Sequence, residues 1–176
     1  MNFNTILFAL SIFTLPTFCN AQVQKSDAHC NDKKFNKRVN QLLKYSIPTM
    51  DVDQLKKEQK DVYIFDTREL EEYKVSHIEG AQYLGYDTFD PSRLGEIPKD
   101  SKIIVYCSVG YRSEKIGNKL KKLGYTNVYN LYGSIFEWIN RGYDVVDQNG
   151  GKTNKIHTYN KKWSQWVKNK KAEKIW

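Results

Sequence analysis

Apolar residues along the chain follow helical and extended patterns in turn. Residues 33–45 place apolar side chains at Phe35 and at the i+4, i+7 and i+8 positions after it, which is one face of a helix, and Asp32 precedes them as a candidate N-cap. Short apolar runs rich in β-branched and aromatic residues predict strands at 47–50, 61–66, 80–84, 102–106 and 127–131. Further helices are predicted at 51–60, 69–75, 113–123 and 134–141.

This alternation predicts an α/β fold with a central parallel β-sheet flanked by helices on both faces. Residues 103–105 are all β-branched and lack polar alternation, as expected of a strand that is buried on both faces. We expect a single domain at 46–148, a basic helical extension at 22–45 and a basic, aromatic tail at 149–176.

Composition and charge narrow the classes of function. The chain has 176 residues, of which 40% are hydrophobic and 14% aromatic, enough for a packed core. Its net charge is +8, but residues 46–148 are slightly acidic and the positive excess falls on the two flanking segments. A uniformly basic surface is therefore not expected, and neither is a nucleic-acid partner.

The first 21 residues predict an export signal. They carry no charged side chain, residues 6–15 are an apolar stretch too short to span a bilayer, and Pro16 interrupts it before a cleavable segment. We expect residues 1–21 to be a signal peptide and the mature protein to be periplasmic or secreted. The alternative is lipoprotein anchoring at Cys19, which the bulky Phe18 before it disfavours.

The stretch IIVYCSVGYRSEKIG, residues 103–117, holds the candidate chemistry. Ligands of parallel α/β sheets bind at the carboxyl ends of the strands, and Cys107 stands at that end of an apolar strand. The loop after it leads into a helix, so its free amides, together with Gly110 and Arg112, favour an anion. We expect a lowered pKa and a nucleophilic Cys107 thiolate. The alternative is a cysteine that only packs, because free cysteines are often buried.

Three segments together resemble a known family. Residues 107–113 match C-x-x-G-x-R-S, which resembles the active-site loop of rhodanese-like sulfurtransferases. Residues 65–84, FDTRELEEYKVSHIEGAQYL, resemble a second segment of that family, and residues 128–138, VYNLYGSIFEW, resemble a third in which Ser134 replaces the second glycine. The three segments occur in order, and the resemblance covers about residues 46–146.

The resemblance implies a two-step sulfur transfer without a cofactor. Cys107 attacks the outer sulfur of a donor, holds it as a persulfide and passes it to a thiol or to cyanide. Ser113 is also expected to cap the following helix. Tyr111 is expected either to shape the pocket mouth or simply to be exposed. The backbone amides and side chains expected to cradle the negative sulfur belong to Ser108, Val109, Gly110, Tyr111, Arg112 and Ser113.

The loop itself refines the expected chemistry. Four residues separate Cys107 from Arg112, one fewer than in the related dual-specificity phosphatases, so phosphatase activity is not expected. Ser108 and Val109 are neutral where thiosulfate-using relatives often carry basic residues. This difference favours a persulfide or polysulfide donor over thiosulfate.

Residues outside the loop receive mainly structural interpretations. By resemblance, Asp66 and Arg68 support the site through an ion pair, and His77 packs or forms hydrogen bonds. Cys30 is either an uninvolved thiol or a disulfide partner of Cys107 in an oxidising compartment. No metal site is expected, because the sequence has no C-x-x-C and no histidine–cysteine cluster.

The basic tail combines lysines with aromatic residues. Trp163, Trp166 and Val167 have the spacing of a helix face, which predicts a packed helix that docks on the domain or on a protein partner; an anionic surface is the alternative. Three functions stay open at this point. They are an exported sulfurtransferase, a non-catalytic binding or sulfur-carrier module, and a thiol-redox protein that uses Cys30 and Cys107.

Overall fold

A five-stranded parallel sheet forms the centre of the molecule. The computed structural model describes residues 27–176, so the predicted signal peptide and Cys19 lie outside the described residues. The strand order is β1-β5-β4-β2-β3, and the strands are Thr49–Met50 (β1), Tyr63–Asp66 (β2), Gln82–Tyr83 (β3), Ile103–Tyr106 (β4) and Val128–Leu131 (β5). The helices before, between and after them are Lys33–Leu42 (α1), Val52–Glu58 (α2), Leu70–Val75 (α3), Tyr111–Lys122 (α4) and Ser134–Asn140 (α5), with a 3-10 turn at Pro91–Leu94.

Side chains of β4 alternate between two apolar cores. Ile104 and Tyr106 pack with side chains of α1, α2 and α5, whereas Ile103 and Val105 pack with side chains of α4. All four residues are fully buried, because successive strand residues point to opposite faces and helices cover both faces of the sheet. The predicted α/β class, the parallel sheet and the helices on both faces are confirmed.

The helix starts follow from local capping, with one correction. Asp32 caps α1 as expected, since its carboxylate accepts a hydrogen bond from the Phe35 amide at 2.7 Å. The expected cap of α4 at Ser113 is wrong: this helix already begins at Tyr111, after Gly110. Gly110 has a φ of 115°, a conformation that only glycine adopts readily, so the chain turns into the helix two residues earlier.

The segments on either side of the central domain pack into the same core. Phe35 and Val39 of α1 are fully buried, and they share a cluster with Ile156 and Val167 from the C-terminal tail. The Phe35 ring also stacks on the Trp166 ring, with centroids 5.6 Å apart. Both flanks therefore cover one face of the sheet.

The tail and the end of the domain form short paired strands. Val145–Val146 (β6) pairs antiparallel with Lys152–Thr153 (β7), and Lys155–His157 (β8) pairs parallel with Glu173–Ile175 (β9). Between β8 and β9 lies the helix Lys161–Ser164 (α6). Within residues 27–176, no helix is long and apolar enough to cross a bilayer.

The tail docks on the domain as expected. The prediction that Trp163, Trp166 and Val167 share one helix is wrong, because the helix is shorter. The helix ends at Ser164, so Trp166 and the buried Val167 lie beyond it. The physical reason is Asn140 at the end of α5. Its amide group donates to the Trp166 carbonyl at 2.9 Å, and its side-chain oxygen accepts from the Lys168 amide at 2.6 Å, which takes these backbone groups out of a continuing helix.

Candidate active site

Cys107 lies directly after β4, at the carboxyl edge of the sheet. Its sulfur accepts a hydrogen bond from the Gly110 amide at 3.1 Å, and the amides of Val109 and Ser113 also act on it. The carbonyls of Cys107 and Ser108 accept from the Ile135 and Phe136 amides in the first turn of α5, each at 3.2 Å. The loop is thus anchored from outside while its own amides point at the sulfur, which is the arrangement that an anionic sulfur requires.

The pKa of Cys107 is shifted in the direction that the sequence predicts. Burial of the thiol by itself raises its pKa, but the Arg112 charge and the hydrogen bonds from Ser113 and Val109 outweigh burial, so the pKa of Cys107 lies below its ordinary value. The side chain is only 1% exposed. A desolvated thiolate held by fixed donors is a strong nucleophile.

Glu72, for which sequence analysis predicts no role, is the partner of Arg112. The Arg112 guanidinium donates to both carboxylate oxygens of Glu72, at 2.6 Å and 2.8 Å, and to the Ser108 hydroxyl at 3.0 Å. Ser108 in turn donates to Glu72 at 3.2 Å. Glu72 was visible in the sequence only as one matching position of the family segment, and nothing in the local pattern pairs it with a residue of the cysteine loop.

Asn130 of β5 is a second residue that sequence reasoning missed. Its amide nitrogen donates to the Gly110 carbonyl at 2.9 Å, and its side-chain oxygen accepts from the buried Ser113 hydroxyl at 2.7 Å. Asn130 therefore joins the loop and the first turn of α4. The available signal was a polar residue inside an otherwise apolar strand, where a buried amide must find partners.

Ser134, at the position of the missing family glycine, also contacts the loop. Its hydroxyl accepts a hydrogen bond from the Cys107 amide at 3.2 Å and donates to the Leu131 carbonyl at 3.1 Å. Its φ is 52°, which is unusual for a residue with a side chain. The hydroxyl thus supplies a contact that glycine lacks, at some cost in backbone strain.

Asp66 and Arg68 form the expected ion pair, behind the site. Both side chains are fully buried, the Arg68 Nη2 to Asp66 Oδ2 distance is 2.6 Å, and the same nitrogen donates to the Ser76 carbonyl at 2.5 Å. Neither residue lines the pocket at Cys107. His77 stacks on the Tyr73 ring with centroids 4.0 Å apart, and burial lowers the pKa of this histidine, which fits a packing role.

The second cysteine occupies a different environment. Within residues 27–176, Cys30 and Cys107 are both free thiols. Cys30 packs against Gly133 and Glu137. Burial and the nearby Glu137 charge raise the pKa of Cys30 far above its ordinary value, so this residue stays a thiol at neutral pH.

A cavity of about 380 Å³ opens onto Cys107. Its walls include four of the predicted loop residues, Ser108, Val109, Tyr111 and Arg112, whereas Gly110 and Ser113 do not line it. The tail contributes Tyr159 and Trp163, and α1 contributes Leu42. Within the described residues, no cluster of three or more His, Cys, Asp or Glu side chains is placed to hold a metal ion.

Comparisons with known proteins agree with this geometry. A sequence model of the rhodanese-like domain matches residues 51–141. The chain is similar to a sulfurtransferase of Allochromatium vinosum, with 35% identity over 91 residues that cover 52% of this chain and 84% of the relative. It is also similar to a tRNA uridine(34) hydroxylase of Rickettsia conorii, with 28% identity over 155 residues that cover 78% of this chain. The match spans only 63% of the length of that hydroxylase.

Solved structures show the same fold. The BH2092 protein of Bacillus halodurans aligns with a TM-score of 0.54 and 24% identity, and the polysulfide-sulfur transferase homodimer of Wolinella succinogenes aligns with a TM-score of 0.50 and 20% identity. Each alignment covers 65% of this chain and 88% of the other chain. At these identities the likeness concerns the fold alone.

Proposed function

Because the chain belongs to the rhodanese-like domain family, we propose that it is a sulfurtransferase that moves sulfane sulfur from a donor to a thiol or cyanide through a persulfide on Cys107. One observation carries the proposal. The Cys107 sulfur lies in a cradle of backbone amides beside Arg112, and these groups lower its pKa despite complete burial. The similarity to a sulfurtransferase over most of that protein's length supports the same reaction class.

Two displacements at sulfur complete the reaction. In the first, the Cys107 thiolate attacks the outer sulfur of a persulfide RS–SH, a new S–S bond forms on Cys107, the donor S–S bond breaks, and RS⁻ leaves. In the second, an acceptor thiolate attacks the outer sulfur, takes it as a new persulfide, and restores the Cys107 thiolate. With cyanide as acceptor the product is thiocyanate. The loop amides stabilise the negative sulfur in both steps.

The charge balance of the site supports a persulfide or polysulfide as donor over thiosulfate. Arg112 is the cation of the cysteine loop, but Glu72 already takes two of its hydrogen bonds and offsets part of its charge. A dianionic donor therefore gains less from Arg112 than it would from an unpaired guanidinium.

We further propose that the protein acts after export, as a periplasmic or secreted enzyme without a nucleic-acid partner. The support is the uncharged, apolar pattern of residues 1–21 and the near-neutral central segment. N-terminal sequencing of the protein recovered from the envelope fraction of its host tests this. A mature chain that starts at Gln22 fits export, whereas an intact Met1 in the cytosol contradicts it.

A sulfur-carrier or binding module remains the second candidate. An assay of sulfur loading and turnover separates it from an enzyme. Reduced protein is treated with polysulfide or thiosulfate, and its intact mass is measured before and after addition of cyanide. We expect one added sulfur atom, its absence in Cys107→Ser, its retention in the matched Cys30→Ser control, and repeated turnover. Loading without turnover identifies a carrier, and the absence of loading refutes the proposed chemistry. Oxidation that depends on Cys30 instead identifies a redox protein.

A further inference from the structure

The cavity over Cys107 has a roof that comes from outside the matched domain. Tyr159 and Trp163 belong to the C-terminal tail and Leu42 to α1, and all three line the cavity. None of them falls within residues 51–141, the part of the chain that matches the rhodanese-like domain. The substrate that reaches Cys107 therefore meets surfaces that this chain adds to the domain.

Apolar and aromatic side chains dominate these walls. Besides the three roof residues, Tyr86, Val109 and Tyr111 line the cavity. Aromatic walls contribute binding energy by burying apolar area and by stacking on rings of the ligand. A volume of about 380 Å³ is that of a site for a small molecule. A protein thiol would have to insert a side chain under the roof to reach the almost fully buried Cys107.

The backbone at Tyr159 is strained and well bonded, while its side chain is 58% exposed. Its φ is 65°, its amide donates to Nδ1 of His157 at 3.1 Å, and the amide of Thr158 donates to the Ile175 carbonyl at 2.7 Å. A residue with a side chain adopts this conformation only where surrounding contacts impose it. The ring is 5.6 Å from the Arg112 guanidinium, so the turn brings it directly to the cysteine loop.

Trp163 is fixed by separate contacts. The Asn160 side chain accepts a hydrogen bond from the Trp163 amide at 3.1 Å and caps α6. The guanidinium of Arg38 lies 5.6 Å from the centroid of the Trp163 ring. The cap thus fixes the Trp163 backbone while Arg38 of α1 faces its indole. The backbone at both aromatic roof residues is therefore held before a substrate arrives.

The charges in the cavity disfavour a dianion. Arg112 is the only cation among the described residues that line it, and Glu72 holds this cation. Two carboxylates, Glu69 and Asp87, also line the cavity. Together with a Cys107 thiolate they make the site unfavourable for a doubly charged donor such as thiosulfate.

We propose that the roof formed by Leu42, Tyr159 and Trp163 selects small organic persulfides with an apolar or aromatic body as the sulfur donors of Cys107. This inference rests on the proposed sulfur transfer and adds the class of donor. The donor persulfide RS–SH places its R group against the aromatic rings and its outer sulfur at the Cys107 thiolate. The S–S bond of the donor breaks, RS⁻ leaves, and Cys107 carries the sulfur.

The test compares two donors on the mature protein, with cyanide as acceptor. Benzyl persulfide released in situ is the apolar probe, and thiosulfate is the inorganic one. The ratio of their kcat/KM values is measured for wild type, Tyr159→Gly, Tyr159→Phe, Trp163→Ala and Trp176→Ala. Tyr159→Gly removes the ring and suits the left-handed backbone, so folding is retained. Trp176→Ala is the matched control, because it removes an exposed aromatic ring of the same tail.

We expect wild type to prefer benzyl persulfide, and the ratio to fall about five- to tenfold in Tyr159→Gly and Trp163→Ala. Tyr159→Phe and Trp176→Ala are expected to keep the wild-type ratio. An unchanged ratio in Tyr159→Gly, or a wild-type preference for thiosulfate, overturns the inference about the roof while leaving sulfur transfer intact. If neither donor loads Cys107, the proposed function fails instead.

Discussion

The guanidinium of Arg112 holds the Glu72 carboxylate through two hydrogen bonds, at 2.6 Å and 2.8 Å, and thereby ties the cysteine loop to α3. The two residues are 40 positions apart in the sequence. Glu72 is almost fully buried. The pair has two consequences: it orients the cation that lowers the pKa of Cys107, and it withdraws part of that cation's charge from an incoming donor.

Replacing Glu72 tests the contribution of this pair to stability. We expect Glu72→Gln to lower the free energy of unfolding at pH 7 by roughly 3 kcal/mol, because it leaves the Arg112 charge without its buried partner. Urea unfolding measures the change. The exposed neighbour Glu71 provides the matched control, since Glu71→Gln removes only a surface pair with Lys74 and is expected to cost less than about 1 kcal/mol.

The same variant has a defined pH dependence. Burial raises the pKa of Glu72, but hydrogen bonds from Arg112 and the charges of Arg68 and Arg112 outweigh it, so the folded-state pKa lies below the ordinary 4.5. A lowered carboxylate pKa stabilises the fold above the unfolded-state pKa and loses this effect as the pH falls through the folded-state pKa. The gap between wild type and Glu72→Gln should therefore be full at pH 7 and shrink below about pH 4.5. A gap that is constant with pH would contradict this account.

The reactivity of Cys107 should depend on Arg112. The Arg112 charge opposes the effect of burial and lowers the pKa of Cys107, so Arg112→Gln is expected to raise that pKa and to move the alkylation profile to higher pH. Intact mass follows the rate of reaction with iodoacetamide at each pH. The midpoint of this pH profile reports the pKa of Cys107. Lys121→Gln removes an exposed charge from the last turn of the same helix. It should leave the midpoint in place, and an equal shift in both variants would argue against a specific role for Arg112.

The buried pair of Asp66 and Arg68 should matter for stability and less for chemistry. Both side chains are fully buried, and they do not line the cavity at Cys107. We expect Asp66→Asn to destabilise the protein by about 3–5 kcal/mol, because it leaves the Arg68 charge buried without a counter-charge. Urea unfolding gives the stability, and sulfur loading at low temperature gives the activity of the folded fraction. A folded variant that loads no sulfur would place this pair in the reaction itself.

Ser134 offers a test of positioning. Ser134→Gly relieves the backbone strain at a φ of 52° and loses the hydroxyl that holds the Cys107 amide. We expect its stability to stay within about 1 kcal/mol of wild type, and its rate of sulfur loading to fall by about tenfold because the loop is less well held. Ser134→Ala keeps the strain and loses the same bond, so it should be the less stable of the two. If loading in Ser134→Gly matches wild type, the hydroxyl has no positioning role.

The sequence by itself determined the layered α/β fold and the place of the nucleophile. The β-branched run of residues 103–105 specifies a strand buried on both faces, and a cysteine that follows such a strand must lie at the carboxyl edge of the sheet. These features depend on residues close together in the chain, where periodicity and propensity carry the information. The spacing of Cys107, Gly110 and Arg112 is local in the same sense.

Only the tertiary structure decided what surrounds the sulfur. Arg112 pairs with Glu72, 40 positions away, and Asn130 bonds to Ser113, 17 positions away. Tyr159 lies over Arg112 of the loop, 47 positions away. No local pattern encodes such contacts, because they depend on how β5, α3 and the tail pack together in space. The charge balance of the pocket and its aromatic roof follow from that packing.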